Sequence, residues 1–188
     1  MVTLNRIYTR AGDKGSTRLA TGESVSKASA RVAAYGDVDE TNACIGLARL
    51  HTSGEFDTLL ARIQNDLFDL GADLATPDSP DLKFEALRIV DSQVDRLERE
   101  IDQLNADLSE LKSFVLPAGT PAAAHLHLAR TVCRRAERGC VALMSADKTA
   151  VSPAALKYLN RLSDLLFVAA RFANREDGDV LWVPGASR

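Results

Sequence analysis

Apolar residues recur at intervals of three and four along most of this 188-residue chain, which is the spacing that one buried face of an α-helix requires. The pattern predicts five helices, which begin near Lys27, Phe56, Asp91, Thr120 and Ser152 and end near Leu50, Leu74, Leu111, Met144 and Asp177. Residues 1–27 show no such period and contain three glycines, so we expect an extended, loop-like arm there. Five helices with short links, and no alternation of strands with helices, predict an all-α helix bundle.

Breaker and cap residues mark where the predicted helices start and stop. The stretch Thr76-Pro77-Asp78-Ser79-Pro80 separates the second helix from the third, and both Thr120-Pro121 and Ser152-Pro153 offer an N-cap followed by a first-turn proline. We therefore expect a single domain over residues 1–188. It comprises the arm at 1–27, the helical bundle at 28–177 and a short tail at 178–188.

Composition narrows the class of protein. Hydrophobic residues make up 46% and charged residues 26%, as in ordinary globular proteins. No apolar run approaches the length of a membrane span and the N-terminus lacks a secretory pattern, so we expect a cytoplasmic protein without membrane contact. The three cysteines contain no CxxC pair, which favours buried, reduced thiols.

The charge of the chain is unevenly distributed. The net charge is −3, which argues against a general nucleic-acid surface. Residues 1–31 nevertheless carry six basic and two acidic side chains, a balance of +4 that leaves −7 for the remainder. A basic island in an acidic protein favours one small polyanion as its ligand.

Within that island, the arm from Thr9 to Thr17 reads TRAGDKGST and combines two glycines, two basic side chains and three hydroxyls. Glycines allow backbone N–H groups to turn toward an anion, while the basic and hydroxyl groups can bind phosphate oxygens. An ordinary polar surface loop would have a similar composition. A P-loop is not indicated, because no Lys directly precedes the Ser-Thr pair.

The fourth predicted helix carries arginines at Arg130, Arg134 and Arg138, four residues apart and therefore along one stripe, with Glu137 beside them. The alternative interpretation of this stripe is an ordinary solvent-exposed basic helix face whose arginines pair with a glutamate. Packed beside the arm, the stripe would accept the charge of a triphosphate. On the fifth helix, Asn160 interrupts a mainly apolar pattern.

The sequence lacks the residues that several kinds of metal site and of nucleophilic catalysis require. Asp37, Asp39 and Glu40 do not fit the loop of an EF-hand, although Asp37 and Glu40 share a helix face and could meet arginines from another helix or subunit. The chain has no Glu-x-x-His pair, and His125 and His127 point to different faces of one helix. We expect no metal site built from protein ligands, and no Ser–His–Asp arrangement is readable.

Four segments occur in order: TRAGDKGSTRLATGE, AYGDVDETN, RTVCRRAER and KYLNRLSDLLF. Together they resemble the PduO-type family of ATP:cob(I)alamin adenosyltransferases, over about residues 6–175. The resemblance implies a five-helix bundle that assembles as a homotrimer with active sites between neighbouring subunits.

The resemblance also implies roles for individual residues. To the ATP site it assigns the arm residues Thr9, Arg10, Ala11, Gly12, Lys14, Thr17 and Arg18 with Lys27, the fourth-helix residues Arg134, Arg135, Glu137 and Arg138, and Asn160. It assigns catalytic roles to Arg134, to Phe114 beneath the corrin ring, and to Asp37, paired with Arg130 across the subunit contact.

The implied reaction transfers the 5′-deoxyadenosyl group of ATP, bound with Mg²⁺, to the cobalt of cob(I)alamin and releases triphosphate. Phe114 would keep the lower nitrogen ligand and water from cobalt, and we expect no protein ligand to the metal. A flavin-type reductant would supply electrons, and the product could pass to an adenosylcobalamin-dependent mutase.

Two matters stay open at the level of sequence. Pro117-Ala118-Gly119 departs from the Pro-Gly-Gly that is usual in the family, and alanine resists positive φ, so the course of the loop after Phe114 is not determined. A non-catalytic nucleotide sensor or cobalamin carrier would carry the same arm. A purely structural bundle would leave the basic arm and the arginine stripe without a role.

Overall fold

The computed structural model describes residues 7–8, 10–80, 82–146 and 150–188, and in these ranges two short strands precede five helices. The strands are β1 (Ser16–Arg18) and β2 (Ser24–Ser26), and the helices are α1 (Ala30–Arg49), α2 (Gly54–Leu74), α3 (Asp91–Ala106), α4 (Pro121–Ala146) and α5 (Pro153–Ala173). The predicted all-α bundle is confirmed. Among the described residues, none of the helices combines the length and apolar character that crossing a bilayer requires.

Hydroxyl side chains start three of the helices. Ser29 accepts a hydrogen bond from the backbone of Val32 at the start of α1. Thr120 Oγ1 and Ser152 Oγ accept from backbone N–H groups in the first turns of α4 and α5, at 3.2 and 3.1 Å. Such caps satisfy backbone donors that the helix itself leaves unpaired. The two Thr/Ser-Pro starts predicted from the sequence are thereby confirmed.

Two helices end earlier than their patterns predict. Helix α3 stops at Ala106 rather than near Leu111, whose side chain is 42% exposed and so has no core to extend into. Helix α5 stops at Ala173 rather than near Asp177. The next residue, Asn174, directs its side chain to the loop before α4, where its Oδ1 accepts from the backbone of Thr120 at 2.9 Å.

The core forms where α1 packs on α2 and α4, α4 on α5, and α5 on α3. The buried face of α4 includes a run of small side chains that are completely buried: Ala129, Cys133, Ala136 and Cys140. Leucines of α2 and α5 fill the remaining volume, and full burial of each is worth about 1.5–3 kcal/mol. All three cysteines are free and buried, as predicted.

A buried carboxylate fastens α2 to α3 and α5. Asp66 on α2 accepts hydrogen bonds from Gln93 Nε2 and Tyr158 OH, both at 3.0 Å, and forms an ion pair with Arg96. Burial, with the nearby Asp66 charge, raises the pKa of Tyr158 well above its ordinary value. The phenol is therefore a hydrogen-bond donor at any physiological pH.

The arm is more ordered than the predicted loop. Strands β1 and β2 form an antiparallel hairpin in which Thr17 lies opposite Val25. Each strand has three residues, too few for an alternating pattern to stand out in the sequence. Leu19 is buried, and Ala20 donates its N–H to the carbonyl of Ala75 at 3.1 Å, so the hairpin is held at the end of α2.

His127 lies inside the bundle on α4, 1% exposed, with its ring edge toward Phe167 of α5. Neither ring nitrogen has a hydrogen-bond partner among the described residues. Burial, followed by the charge of Arg130, lowers the pKa of His127, while Asp179 acts in the opposite direction. The imidazole is therefore neutral in the folded protein at neutral pH.

We expect Gly119→Ala to destabilise the fold by about 1–3 kcal/mol. Gly119 has φ +108°, and a Cβ there would lie 2.3 Å from the Asn174 side chain that joins α5 to the loop before α4. The matched control is Gly71→Ala within α2, where a Cβ meets nothing within 4 Å, and it should be stabilising by up to about 1 kcal/mol. Urea unfolding measures both. Equal effects would contradict the strained loop.

We expect His127 to make stability fall as the pH decreases. Because its folded pKa is depressed, the unfolded chain takes up a proton below about pH 6.5 that the folded chain does not. The free energy of unfolding should thus fall by up to about 1.4 kcal/mol per pH unit more in wild type than in His127→Asn between pH 6.5 and 5. Thermal unfolding across this range tests it, with exposed His51→Asn as the control; parallel curves for wild type and His127→Asn would exclude the effect.

Candidate active site

The hairpin arm surrounds an open cavity of about 500 Å³. Its lining residues come from the arm alone, and they are Ala11, Gly12, Ser16, Thr17, Arg18, Ser24 and Lys27. Five of them are residues that the family resemblance assigned to an ATP site. The other arm residues of that prediction are Arg10 and Lys14, which are exposed beside the cavity, and Thr9, which lies outside the described residues.

Close backbone packing brings the Lys27 side chain over the turn. The N–H of Lys27 donates to the carbonyl of Gly15 at 2.9 Å. A Cβ at Gly12 would lie 2.9 Å from Lys27 Nζ, so a glycine there leaves room for the ammonium group. Arg10 adopts a left-handed conformation with φ 61°, and its guanidinium lies 5.7 Å from the centre of the Tyr8 ring.

The cations of the arm are not neutralised within the described chain. Arg10, Lys14, Arg18 and Lys27 form no ion pair with a described carboxylate. Three hydroxyl side chains, of Ser16, Thr17 and Ser24, and the cations of Arg18 and Lys27 line one cavity, an arrangement suited to a phosphate-bearing anion.

A second group of predicted residues lies on the surface that α4 and α5 share. Arg134 and Arg138 are both exposed, and Arg138 donates to the backbone carbonyl of Arg134 at 3.0 Å. Asn160 of α5 is exposed rather than buried, and its Nδ2 donates to Glu137 Oε1 at 2.9 Å. In the part of the chain that the structure describes, Arg134 has no ion-pair partner. Residues that the resemblance assigned to one site thus lie on one polar surface across two helices.

Arg135 pairs with acids of α1 in the described chain, and its place in the ATP site stays a prediction. Its Nε lies 3.0 Å from Asp37 Oδ1, and its terminal nitrogen pairs with Glu40, so one arginine of α4 joins two carboxylates of α1. Hydrogen bonds to Glu40 and then Asp37 raise the pKa of Arg135. The expectation that the two acids meet an arginine of another helix is confirmed. A phosphate would have to displace these acids to bind Arg135.

Arg130 is half-buried, one turn before Arg134, and its Nε has no hydrogen-bond partner among the described residues. Burial and the charge of Arg134 lower the pKa of its guanidinium. Within the described chain, Asp37 pairs with Arg135 and not with Arg130. The pairing of Asp37 with Arg130 across a subunit contact stays a prediction.

Phe114 projects from the loop between α3 and α4 and is 76% exposed. Its ring meets Trp182 of the tail, with ring centres 5.9 Å apart and planes inclined at 54°. The backbones of the two segments are also joined, because Trp182 N donates to Phe114 O and Leu116 N donates to Val180 O, both at 2.8 Å. Sequence reasoning missed Trp182, although a lone tryptophan in an apolar tail was a usable signal.

Arg171, near the end of α5, binds both the loop that contains Phe114 and the tail. Arg171 is buried, and it donates to Asp179 Oδ2 at 2.8 Å and to the carbonyl of Ser109 at 2.7 Å.

Among the described non-glycine residues only Arg10 has a positive φ, so Ala118 fits the loop without strain, and Gly119 takes the left-handed position. The loop after Phe114 is therefore compatible with Pro117-Ala118-Gly119.

Within the described chain the predicted site residues other than Arg130 form four groups: the arm cavity, the α4–α5 surface, the contact of Asp37 with Arg135 between α1 and α4, and the Phe114 loop with the tail. The cavity at the arm is lined by none of the α4 or α5 candidates. The described residues also include no group of three or more His, Cys, Asp or Glu side chains that could hold a metal ion.

Comparison with known proteins relates this geometry to a family. A family model for cobalamin adenosyltransferases matches residues 7–173. The corrinoid adenosyltransferase of Mycobacterium tuberculosis is 54% identical over 189 residues, which span all of this chain and 97% of the relative. The corrinoid adenosyltransferase of Bacillus subtilis is 45% identical, over 92% of this chain and 89% of the relative.

A solved structure is similar over its whole length. A variant of the PduO-type ATP:corrinoid adenosyltransferase from Lactobacillus reuteri, complexed with cobalamin and ATP, superposes with a TM-score of 0.87 at 39% identity and covers 95% of this chain and 97% of that one. The agreement of family model, relatives and structure extends over the arm, the α4–α5 surface and the Phe114 loop alike. The chain belongs to the cobalamin adenosyltransferase family.

Proposed function

We infer that this chain transfers the 5′-deoxyadenosyl group of ATP to the cobalt of cob(I)alamin, forming adenosylcobalamin and triphosphate. It is a corrinoid adenosyltransferase, as its relatives at up to 54% identity over the full length indicate. The structural observation that best supports the reaction is the set of cations, on the arm and at Arg134, that form no ion pair with any described carboxylate. The similar solved structure was complexed with both cobalamin and ATP.

The chemistry requires charge stabilisation rather than proton transfer. Cob(I)alamin supplies an electron pair to the ribose C5′ of ATP, a cobalt–carbon bond forms, and the C5′–oxygen bond breaks with its electron pair leaving on triphosphate. Negative charge grows on the leaving oxygens, where Lys27, Arg134 and Arg138 would stabilise it. No proton has to be removed, so the reaction needs no general base.

The two phosphate-binding groups would meet at a contact between subunits. The arm cavity is lined by arm residues alone, and Arg134 and Arg138 of α4 face outward. Leu128 and Val141 on the same helix are 47% and 48% exposed, although large apolar side chains are usually covered. A homotrimer in which the arm of one subunit faces α4 and α5 of the next would cover them and assemble a complete site.

Phe114 suits a place beneath the corrin ring. Its ring is exposed, yet its backbone and one edge are fixed by the tail, so it can meet an apolar surface without losing much side-chain freedom. An aromatic ring there excludes the lower nitrogen ligand and water from cobalt. Without an axial donor the cobalt orbital that receives the electron lies lower, which makes reduction by a flavin-type donor feasible.

Mg²⁺ would arrive bound to ATP, whose phosphate oxygens are the ligand type that Mg²⁺ takes, without a site built from protein ligands. When bound, the ion would supply positive charge to the phosphates. The flavin-type reductant, delivery to an adenosylcobalamin-dependent mutase and the cytoplasmic location stay predictions.

A non-catalytic cobalamin carrier would also bind ATP and the corrinoid. An anaerobic mixture of the protein, chemically reduced cobalamin and ATP separates the two functions, because only the enzyme forms the cobalt–carbon bond that the absorption spectrum reports. ATP binding without this spectral change would identify a carrier.

We expect Arg134→Ala to lower kcat/KM for ATP at least 100-fold while the melting temperature stays within about 2 °C of wild type, since an exposed, unpaired arginine adds little stability. The matched control is Arg99→Ala, an exposed arginine of α3, which should leave activity unchanged. The anaerobic adenosylation assay and thermal unfolding give both numbers. Retained activity in Arg134→Ala would mean that the α4 stripe is only a solvated face.

We expect Phe114→Ala to prevent four-coordinate Co(II)alamin from accumulating on the enzyme in the presence of ATP, because water or the nitrogen ligand can then reach cobalt. Electron paramagnetic resonance distinguishes the four- and five-coordinate forms. Phe68→Ala, which removes a 71% exposed phenylalanine from α2, is the control and should behave as wild type. An unchanged four-coordinate fraction in Phe114→Ala would refute the assigned role.

A further inference from the structure

Three polar side chains where α4 meets α5 and the tail have buried atoms without a partner among the described residues. His127 is 1% exposed, and both of its ring nitrogens are unpartnered. Arg130 Nε and Asp179 Oδ1 are also buried and unpartnered in the described chain. Such atoms are uncommon in protein interiors, because each has given up its hydrogen bonds to water without a replacement. Their occurrence in one region calls for a common explanation.

The three side chains lie close to one another. His127 and Arg130 are three residues apart on α4 and therefore share a helix face. The edge of the His127 ring faces Phe167 of α5, with ring centres 6.2 Å apart. One turn after Phe167, Arg171 donates to Asp179 Oδ2 at 2.8 Å. Burial and then the charge of Arg130 lower the pKa of His127, whereas the charge of Asp179 raises it, so the imidazole lies near both charges.

The hydrogen-bonding capacities of the three groups are complementary. A neutral imidazole has one N–H donor and one nitrogen that accepts. Arg130 Nε offers an N–H donor, and Asp179 Oδ1 offers an acceptor. Each ring nitrogen of His127 thus has near it the kind of partner that it lacks. Each link can be direct or can pass through one buried water molecule, as is common between polar groups in protein interiors.

We propose that His127 is a positioning residue for the adenosyl transfer, which accepts a hydrogen bond from Arg130 Nε and donates one to Asp179 Oδ1. These two bonds join α4 to the tail. They use only one nitrogen of the Arg130 guanidinium, so its two terminal nitrogens remain available to a carboxylate of a neighbouring subunit. The inference rests on the proposed function, because the tail matters to the reaction through Phe114.

The tail carries the effect of His127 to the Phe114 ring. Asp179 directly precedes the residues that pair with the Phe114 loop, where Val180 O accepts from Leu116 N and Trp182 N donates to Phe114 O. A carboxylate that is bonded through both oxygens fixes the start of this pairing. Fully satisfied buried networks favour a single arrangement of the segments that they join. The bond from His127 therefore holds Phe114 in place without contact between the imidazole and the corrinoid.

Electron paramagnetic resonance of the protein with ATP and Co(II)alamin tests the positioning role. His127→Leu removes both ring nitrogens, and it should lower the four-coordinate fraction at least threefold while KM for ATP stays within about twofold of wild type, since the arm is unchanged. Val132→Ala, at a 4% exposed position of α4, is the matched control and should keep the four-coordinate fraction of wild type. An unchanged fraction in His127→Leu, or an equal loss in Val132→Ala, would overturn the role.

Nuclear magnetic resonance tests the bonds themselves. It needs neither cobalamin nor activity, so it separates a failure of this linkage from a failure of the proposed function, and its wild-type measurement remains decisive if His127→Leu does not fold. In protein with isotope-labelled histidine at neutral pH, the His127 ring should occupy a single neutral tautomer, because a different partner holds each nitrogen. Two tautomers in rapid exchange would overturn the linkage.

Replacing the acceptor identifies the carboxylate. Asp179→Asn should move the ring N–H proton signal of His127 upfield more than that of the other histidines, because a bond to a carboxylate is stronger than one to a carboxamide. Glu176→Gln, at an exposed acid of the same segment, is the control and should leave this signal in place. A His127 signal that Asp179→Asn does not move would overturn the linkage.

Discussion

The close packing of α1 on α4 is the constraint on which the rest of the structure depends. A Cβ at Gly139 would lie 3.7 Å from the Cα of Ala34, in ordinary van der Waals contact, so the two helices pack here through small residues. This approach brings Arg135 of α4 within reach of Asp37 and Glu40 of α1. The completely buried face of Ala129, Cys133, Ala136 and Cys140 sets the rotation of α4. That rotation leaves Arg134 and Arg138 facing outward, beside Asn160 of α5.

The arginines named above fall into two classes: some bind carboxylates and carbonyls of the protein, and others have no acid partner in the described chain. Arg88, Arg96 and Arg171 bind buried or half-buried carboxylates and backbone carbonyls, and thereby hold loops and helices. The arginines on the outward stripe of α4 lack acid partners in the described chain. Because exposed ion pairs contribute about 0–1 kcal/mol, leaving these arginines unpaired has little effect on stability and preserves their charge for a ligand. Stability and function can therefore be separated by mutation at these positions.

Helix starts and the arginine stripe were predictable because their causes are local. Thr120-Pro121 and Ser152-Pro153 bring their own caps, and residues four apart must share a helix face. What the sequence did not reveal has partners far along the chain. The end of α5 depends on Asn174 reaching residues 118–120, the hairpin depends on its contact with Ala75, and the pair of Arg135 with Asp37 joins positions 98 apart. Periodicity cannot encode such contacts.

The Phe114 loop illustrates how such distant contacts can control chemistry. Arg171 binds the backbone at Ser109, Asn174 binds it at Ala118 and Thr120, and the tail binds it at Phe114 and Leu116. An exposed aromatic ring is thus held by a backbone that is fixed on both sides. A ring that must exclude water from a metal gains more from such preorganisation than from added contact area. Conformational entropy that the ring has already lost in the folded protein does not have to be lost again when the corrinoid binds. The residues that fix Phe114 therefore determine its effectiveness without having to touch the corrinoid themselves.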